Sequence, residues 1–164
     1  ADIGLNIPDL RAGERSFQLL CQVAGRAGRG DIDGKVIIQT YSPENKTITL
    51  GAAQNYDDFY EKEISFRESF SYPPFLNMAR LLYQGTDRDT VRKKAENDSI
   101  YLRDVIRSYK LTGVRIVGPA PSGIEKLRGK FRWEIELLAN DINSILRHVR
   151  LNRDLTVDVD PVST

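Results

Sequence analysis

The chain has 164 residues, of which 40% are hydrophobic and 29% charged, and its formal net charge is +1. These proportions are ordinary for a globular protein of one domain or slightly more. No apolar stretch approaches the roughly 18 residues that span a bilayer and no signal peptide begins the chain, so we expect no membrane partner. Cys21 is the single cysteine, which excludes an internal disulfide and a cysteine-rich zinc site and favours a reducing, cytoplasmic compartment.

The charge is unevenly distributed along the chain. Residues 1–70 contain 8 Lys and Arg against 11 Asp and Glu, a balance of −3, whereas residues 71–164 contain 16 against 12, a balance of +4. The second part is therefore the better suited to a polyanion, although this balance also fits an ordinary solvated surface.

The first predicted elements alternate between strands and helices. Asp2–Asp9 reads as the tail of a strand followed by a loop, and a helix is predicted from about Arg15 to Gly28. The β-branched run Lys35–Thr40 predicts a strand covered on both faces, as in a parallel α/β sheet. A weak helix is predicted over Ser42–Ala53, with Ser42 as its N-cap, and a stronger one over Asp57–Phe70.

The first long helix carries an arginine-rich face. Gln22, Arg26 and Arg29 recur at i, i+4 and i+7, which places an amide and two guanidiniums on one side of the helix. Arg binds phosphate oxygens through a planar fork of donors, and Gly25 and Gly28 leave room for a close ligand. This pattern is typical of an arginine finger that stabilises charge on a phosphoryl group held elsewhere. The opposite, apolar face carries Phe17, Leu20, Ala24 and Ala27, and Cys21 lies towards it.

Two simpler interpretations of this run stay open. Arginines in the last turn of a helix also satisfy free carbonyls and the helix dipole, and an Arg-Gly-rich run is also found in RNA-binding tails. The complete spacing Gln-x-x-Gly-Arg-x-Gly-Arg favours the arginine finger.

The helix over Asp57–Phe70 has a broad aromatic side. Aromatic residues at this spacing usually form core, and we interpret them as the pad on which the following domain rests. The side consists of Tyr56, Phe59, Tyr60, Ile64, Phe66 and Phe70.

The Pro-Pro junction at Tyr72–Phe75 predicts a domain boundary, because neither proline can donate a backbone hydrogen bond. The predicted domains are residues 1–71 and 72–164. The second has a complete pattern of its own, with an irregular loop at 118–123. Its predicted elements are strand Leu76–Gln84, helix Asp89–Tyr109, strands Val114–Val117 and Lys130–Leu138, helix Ile142–Arg150 and strand Leu155–Val159.

A basic stretch within this second domain predicts DNA contact. In one continuous strand Lys126, Arg128, Lys130 and Arg132 would line one face, with Leu127, Phe131 and Trp133 on the other. A strip of cations beside aromatic residues suits a nucleic-acid backbone. Gly129 is expected to break or turn the ribbon, and an ordinary amphipathic strand with a core Trp133 is the alternative.

Three further residues near the C-terminus have plain interpretations. His148 lies among arginines at a polar helix end, where a solvated or capping role is expected. Asp158 and Asp160 do not make a metal site by themselves, and Pro161 is expected to end their strand. No metal ligand is predicted in this chain.

Two motifs carry a family resemblance. The run Gln22–Arg29 resembles the last signature motif of the second helicase superfamily. The surrounding residues Asp2–Asp9, Glu14-Arg15 and Gln18–Leu20 resemble the primosomal protein N′ (PriA) family of bacterial replication-restart helicases. The Pro-Pro-aromatic junction, and the Gly-Pro-x-Pro loop followed by an Arg-Trp strand, resemble the same family, so the resemblance covers essentially the whole chain.

This resemblance implies a fold and a function. The fold is α/β: the end of a RecA-like helicase lobe, then a small split βαβ (β-α-β-β-α-β) α+β domain that binds branched DNA. The implied protein is an ATP-dependent 3′-5′ DNA helicase, a hydrolase of the primosome that acts in DNA replication restart. Arg29 would be the finger on the γ-phosphate, Arg26 a second phosphate contact and Gln22 a polar sensor. Single-strand-binding protein and primosome proteins are the implied partners besides DNA.

The cofactors are expected to need more than this chain. It has no Gly-x-x-x-x-Gly-Lys-Ser/Thr loop and begins on Ala1 without methionine, so we expect a C-terminal fragment that does not hydrolyse ATP alone. ATP and magnesium are implied for the full-length protein, and zinc only for an upstream part. Two other classes stay open, namely a non-enzymatic nucleic-acid-binding module and a protein-interaction domain.

Overall fold

The computed structural model describes residues 2–5, 10–27, 35–150 and 155–161. The chain divides into two compact units, the first ending at Phe66 and the second beginning at Arg67. The boundary predicted between residues 71 and 72 stays a prediction. Within the described ranges, no helix combines the length and the apolar character needed to cross a membrane.

The first unit is helical in its described part. Helix α2 agrees closely with the predicted helix and ends where the described residues stop. The helices are α1 (Asp2–Leu5), α2 (Ala12–Ala27), α3 (Lys46–Ala52) and α4 (Tyr56–Ser69), and the last residues of α4 belong to the second unit.

Two strand predictions in the first unit are wrong. Asp2–Leu5 is helical, and Lys35–Thr40 has no regular secondary structure. A β-branched run becomes a strand when neighbouring strands supply partners, and none of the first unit's described residues lies in a strand. Instead, the Thr40 hydroxyl donates to one Asp2 carboxylate oxygen at 2.6 Å and the Tyr41 amide donates to the other at 3.2 Å. The Thr40 bond, with a smaller effect from Tyr41, lowers the pKa of Asp2.

Helix α3 begins later than predicted. Its N-cap is Asn45, whose side-chain oxygen accepts a hydrogen bond from the Thr47 amide at 2.8 Å, so Ser42 does not cap it. A methyl group placed on Gly51 would come within 2.9 Å of the Leu20 side chain. Glycine at this position therefore permits α2 and α3 to pack closely.

The aromatic side of α4 is mostly exposed, so the prediction that it forms core is wrong. Only Phe59 is buried, where Phe17 of α2 stacks on it with ring centroids 4.1 Å apart and planes 12° from parallel. The aromatic arc is broad, and Phe17 of α2 contacts it at Phe59 and, with ring centroids 6.3 Å apart, at Tyr56. The exposed members are Tyr56, Tyr60, Phe66 and Phe70.

The second unit is built around a four-stranded sheet. From Asn77 to Val159 the elements follow one another as β-α-β-β-α-β, in the order predicted. The strands lie side by side as β2-β3-β1-β4, and every neighbouring pair is antiparallel. The elements are β1 (Asn77–Gly85), α5 (Arg88–Ser108), β2 (Arg115–Leu127), β3 (Lys130–Ala139), α6 (Ile142–His148) and β4 (Thr156–Val159).

Side chains cap the N-termini of α5 and α6. Asp87 accepts a hydrogen bond from the Thr90 amide at 2.8 Å at the start of α5, and Asp141 accepts one from the Ser144 amide at 3.1 Å at the start of α6. Such caps each contribute about 1 kcal/mol to helix stability.

Strand β2 is much longer than predicted. The irregular loop expected at 118–123 is part of the strand, which shifts register against β3 between Val117 and Ala120 and again between Pro121 and Lys126. Proline is tolerated there because β2 is an edge strand, whose outer backbone groups need no partner in the sheet. The sequence signal of Gly and Pro therefore marked bulges rather than a loop.

One face of the sheet forms the core with α5 and α6. Alternate residues of the two central strands point to it, and burying each large apolar side chain contributes about 1.5–3 kcal/mol. The Tyr83 hydroxyl, buried at this face, donates to Asp98 at 3.1 Å, and burial raises its pKa. The fully packed members are Ala79, Leu81, Tyr83, Val91, Ala95, Leu102, Ile135, Leu137, Ala139, Ile142 and Ile145.

Candidate functional sites

Gln22 and Arg26 lie together on the exposed side of α2. They line a pocket of about 390 Å³ with Cys21 and Gly25. Neither side chain makes a hydrogen bond or an ion pair to any other described residue. The spacing of four residues brings them together because one helical turn separates them.

The third member of the predicted group lies outside the described residues, which end at Ala27 on this helix. The role of Arg29 therefore stays a prediction, as does the contribution of Gly28. The shared face is seen for two of the three side chains.

Cys21 has a packing role beside this pocket. Its thiol donates to the Gly51 carbonyl at 3.8 Å, and burial raises its pKa. A raised thiol pKa disfavours the nucleophilic thiolate. The side chain of Gln54 donates to the Cys21 carbonyl at 3.4 Å and further ties α2 to the turn after α3.

The basic stretch of the second unit forms a β-hairpin with a two-residue turn. Leu127 pairs with Lys130, and Lys126 pairs with Phe131. The turn residues Arg128 and Gly129 have φ of 49° and 81°, the combination that a type I′ turn requires. Arginine is an unusual occupant of the first position, since residues with a Cβ atom are strained at positive φ.

The prediction that four cations share one face is wrong. Directly paired residues of two antiparallel strands point to the same face, so Lys126 shares a face with Phe131, and Lys130 shares the opposite face with Leu127. The Lys126 ammonium lies 4.7 Å from the centre of the Phe131 ring, which agrees with this arrangement. The turn expected at Gly129 is present, so the single face that one continuous strand would give does not form.

Arg132 differs from the other three basic residues because it is only 7% exposed. Its Nε atom is buried and has no hydrogen-bond partner among the described residues. Lys126, Arg128 and Lys130 are exposed. Three of the four predicted basic residues are therefore exposed near the hairpin turn, on more than one face.

The sheet face that carries Arg132 also holds acidic groups. Arg80 pairs with Asp158 at 3.1 Å and lies opposite Glu136 in the register of β1 and β3. Burial, reinforced by the neighbouring Glu134, raises the pKa of Glu136 although Arg80 opposes the shift. Lys130 and Arg132 alternate along β3 onto the same face as Glu134 and Glu136, so acidic groups follow the basic tip along this strand.

Comparison with known proteins identifies a family that this chain matches. Residues 68–162 match the family described as "Primosomal protein N C-terminal domain". The chain belongs to this family. Relatives named "Replication restart protein PriA" from Rickettsia conorii, Rickettsia felis and a Synechocystis strain are 37%, 36% and 36% identical, in each case over 99% of the chain. The chain covers 26%, 26% and 20% of those relatives, so it spans about a quarter or less of their length.

The matched domain contains the hairpin, whereas α2 lies before it. The similarity to the relatives also includes α2, because their alignments extend over nearly the whole chain. Replication restart is named for those relatives, and the assignment of individual residues in this chain depends on the geometry above.

The structure also brings together residues that sequence reasoning missed. His148 at the end of α6 stacks on Tyr109, with ring centroids 4.3 Å apart, where only a solvated or capping role was predicted. Both line a pocket of about 500 Å³ with Tyr101 and Arg150. These residues lie on elements far apart in the chain, so no local pattern indicates their contact.

The carboxylates near the C-terminus have structural partners. Asp158 forms the ion pair with Arg80, and a side-chain oxygen of Asp160 accepts a hydrogen bond from the Met78 amide at 3.1 Å. The Asp160 amide in turn donates to the Met78 carbonyl at 2.7 Å. Both residues therefore stabilise the pairing of β4 and the residue after it with β1.

Proposed function

We propose that this chain is the C-terminal part of an ATP-dependent 3′-5′ DNA helicase of replication restart. It contributes arginine-finger residues to a nucleotide site and a domain that binds branched DNA. The observation that carries the motor part is that Gln22 and Arg26 share one exposed pocket, free of described partners, in a chain that also matches the primosomal family. The names of the relatives support the replication-restart part.

The three polar residues of the α2 run have distinct roles on this proposal. Arg29 contacts the γ-phosphate and stabilises charge that develops on it, Arg26 makes a second phosphate contact, and Gln22 couples the nucleotide state to lobe closure. Guanidinium groups suit this work because they stay charged and bind oxygens in pairs. The exposed and unpartnered side chains of Gln22 and Arg26 fit such a ligand.

The nucleotide itself needs residues beyond this chain. The sequence contains no Gly-x-x-x-x-Gly-Lys-Ser/Thr loop, so ATP and magnesium are held in the full-length protein and the chain alone is inactive as an ATPase. Zinc belongs to an upstream part on the same proposal. We also assign the first unit to the end of a RecA-like lobe and the second to the split βαβ class, which the strand order β2-β3-β1-β4 supports.

The hairpin provides the DNA contact. Lys126, Arg128 and Lys130 are exposed cations at the end of the hairpin, and neutralising DNA phosphates releases counterions and gives affinity without reading base sequence. Single-strand-binding protein and primosome proteins are further partners in this proposal.

The arginine-finger role is tested in the full-length protein by Arg29→Ala and Arg26→Ala, measured as DNA-stimulated ATP turnover. We expect a loss of about 1,000-fold or more for Arg29→Ala, since supplying an arginine finger accelerates phosphoryl transfer by that order. Arg103→Ala, which removes an exposed arginine from α5, is the matched control. Unchanged turnover in Arg29→Ala would contradict the motor assignment.

A non-enzymatic nucleic-acid-binding module is the second candidate, which the exposed cations of the hairpin also suit. It requires Arg26→Ala and Arg29→Ala to weaken DNA binding by this chain itself. The motor proposal expects little effect there and a larger one from Arg128 and Lys130. Titration of both sets against forked DNA at two salt concentrations separates the two.

A further inference from the structure

The tip of the β2–β3 hairpin, residues 126–131, has features that phosphate contact alone does not require. Its residues Lys126 to Phe131 include three exposed cations and no acidic residue. Leu127 beside the turn is 45% exposed although it is apolar. The tip is therefore both basic and apolar, where a simple phosphate-binding ribbon needs only charge.

The turn of the hairpin lies beyond the paired end of β1, whose register with β3 stops at Phe131. A Cβ atom placed on Gly129 would have no heavy atom within 4 Å. Behind the tip, Arg88 at the start of α5 forms an ion pair of 2.7 Å with Glu125, which directs the nearest acidic side chain of β2 towards the helix. The hairpin thus has an anchored base and an open end.

The cations of the tip lie on opposite faces of the ribbon. Lys126 shares the face of Phe131, Lys130 shares the other face with Leu127, and Arg128 occupies the turn between them. Strand β1 pairs with β3 as far as Phe131, so only the Leu127–Lys130 pair and the turn extend past it. This end of the hairpin can have one polyanionic strand on each face at the same time.

We propose that the hairpin tip is a wedge that enters DNA at the junction between duplex and separated strands. Leu127 packs against the last base pair, while Lys126 and Lys130 contact the backbones of different strands. This inference rests on the proposed binding of branched DNA and deepens it, because it names Leu127 as the side chain that contacts the branch point and the two lysines as contacts to different strands.

The energetics favour a junction over continuous duplex. Inserting an apolar side chain between stacked base pairs costs a few kcal/mol of unstacking per step. At a junction the last pair is already unstacked on one side, so Leu127 gains contact without that cost. Cations on both faces then meet two diverging backbones, whereas continuous duplex offers the tip only one groove edge.

The test uses fluorescence anisotropy of this chain with two DNA probes of equal length and composition at two salt concentrations. One probe is a fork with two single-stranded arms and the other a linear blunt duplex. We expect Leu127→Ser to weaken fork binding about 5- to 10-fold while leaving duplex binding and the salt slope unchanged. Lys126→Gln and Lys130→Gln should weaken fork binding and lower its salt slope by about 1 each.

Two matched variants control the experiment. Ile124→Ser removes an apolar side chain that is 49% exposed on the same strand but away from the turn, and we expect wild-type binding to both probes. Leu127→Met keeps an apolar side chain of similar size and should retain fork binding. Thermal unfolding of each variant checks that the hairpin change leaves the domain folded.

The outcomes separate the wedge from DNA binding itself. If the lysine variants weaken binding but Leu127→Ser weakens neither probe, or both equally, the wedge is wrong and the DNA-binding function stands. An equal loss in Ile124→Ser would also overturn it, because the apolar contact would then not belong to the tip. If no hairpin variant changes binding to either probe, the proposed DNA-binding function fails as well.

A fork with one arm removed tests whether Lys126 and Lys130 contact different strands. A partial duplex with a single arm should keep the effect of one lysine variant and lose much of the effect of the other, because the two side chains contact different strands. Equal effects of Lys126→Gln and Lys130→Gln on both single-armed probes would contradict the two-sided arrangement.

Discussion

The α2 face, which carries Gln22 and Arg26, and the β2–β3 hairpin both present polar side chains to solvent, but different physical rules assemble them. Gln22 and Arg26 lie together because a helix returns to the same side every turn. The cations of the hairpin lie on two faces because the turn decides which residues become neighbours. A helical face is thus predictable from spacing alone, whereas a face of a hairpin depends on where the chain reverses.

The largest expected effect tests whether the α2 face needs the guanidinium fork or only positive charge. In the full-length protein we expect Arg26→Lys to lower ATP turnover by on the order of 10-fold, because an ammonium cannot bind two phosphate oxygens in the same geometry. Steady-state ATPase assays measure it, and Arg103→Lys is the control. Wild-type turnover in Arg26→Lys would indicate a purely electrostatic contact.

The second prediction applies one change, glycine to alanine, to both regions. Gly129→Ala should destabilise the chain by about 1 kcal/mol, because φ of 81° is strained for any residue with a Cβ atom. Gly25→Ala should stabilise it by about 0.5 kcal/mol, because glycine weakens a helix interior. Thermal unfolding measures both changes in stability. Effects of the same sign would contradict the assignment of Gly129 to a strained turn and of Gly25 to a helix interior.

The third prediction concerns Arg128 at the first position of the turn. Arg128→Asn places a residue that tolerates positive φ there, so we expect the free energy of unfolding to rise by up to about 1 kcal/mol. DNA affinity should fall in the same variant because one cation is lost. Chemical denaturation and anisotropy together show whether stability and binding move in opposite directions, and a joint loss of both would contradict the assigned turn.

The smallest effect compares the pH response of one carboxylate in each unit. Burial raises the pKa of Glu136, so the folded state holds its proton more tightly than the unfolded state and stability falls as pH rises above the ordinary glutamate value. The hydrogen bond from Thr40 lowers the pKa of Asp2, so the stability that the ionised Asp2 contributes is present at neutral pH and is lost as pH falls.

Glu136→Gln should therefore stabilise the fold most near neutral pH and lose this advantage in acid, whereas Asp2→Asn should destabilise the fold at neutral pH only. Unfolding measured from pH 7.5 to pH 4 checks both directions, and no change in slope for either variant would argue against these environments.

Local patterns predicted most elements of the second unit. Helix α5 follows from apolar periodicity because it buries one regular face, and strands β1 and β3 follow from their apolar runs. Strand β1 is buried at six successive positions, on both of its faces. The prediction failed where tertiary partners decide the outcome. Lys35–Thr40 has the composition of a strand, but no described strand pairs with it, and the aromatic arc of α4 is buried only at Phe59.

The sequence by itself determined the family, the element order of the second unit and the shared side of Gln22 and Arg26, because these depend on neighbours within a few residues or on the motif itself. Only the tertiary structure decided that Arg132 is buried, that Lys126 and Lys130 lie on opposite faces and that His148 meets Tyr109. Those relations join segments whose separation is set by strand register and helix packing. Register depends on cooperative pairing across the whole sheet, which no single segment specifies.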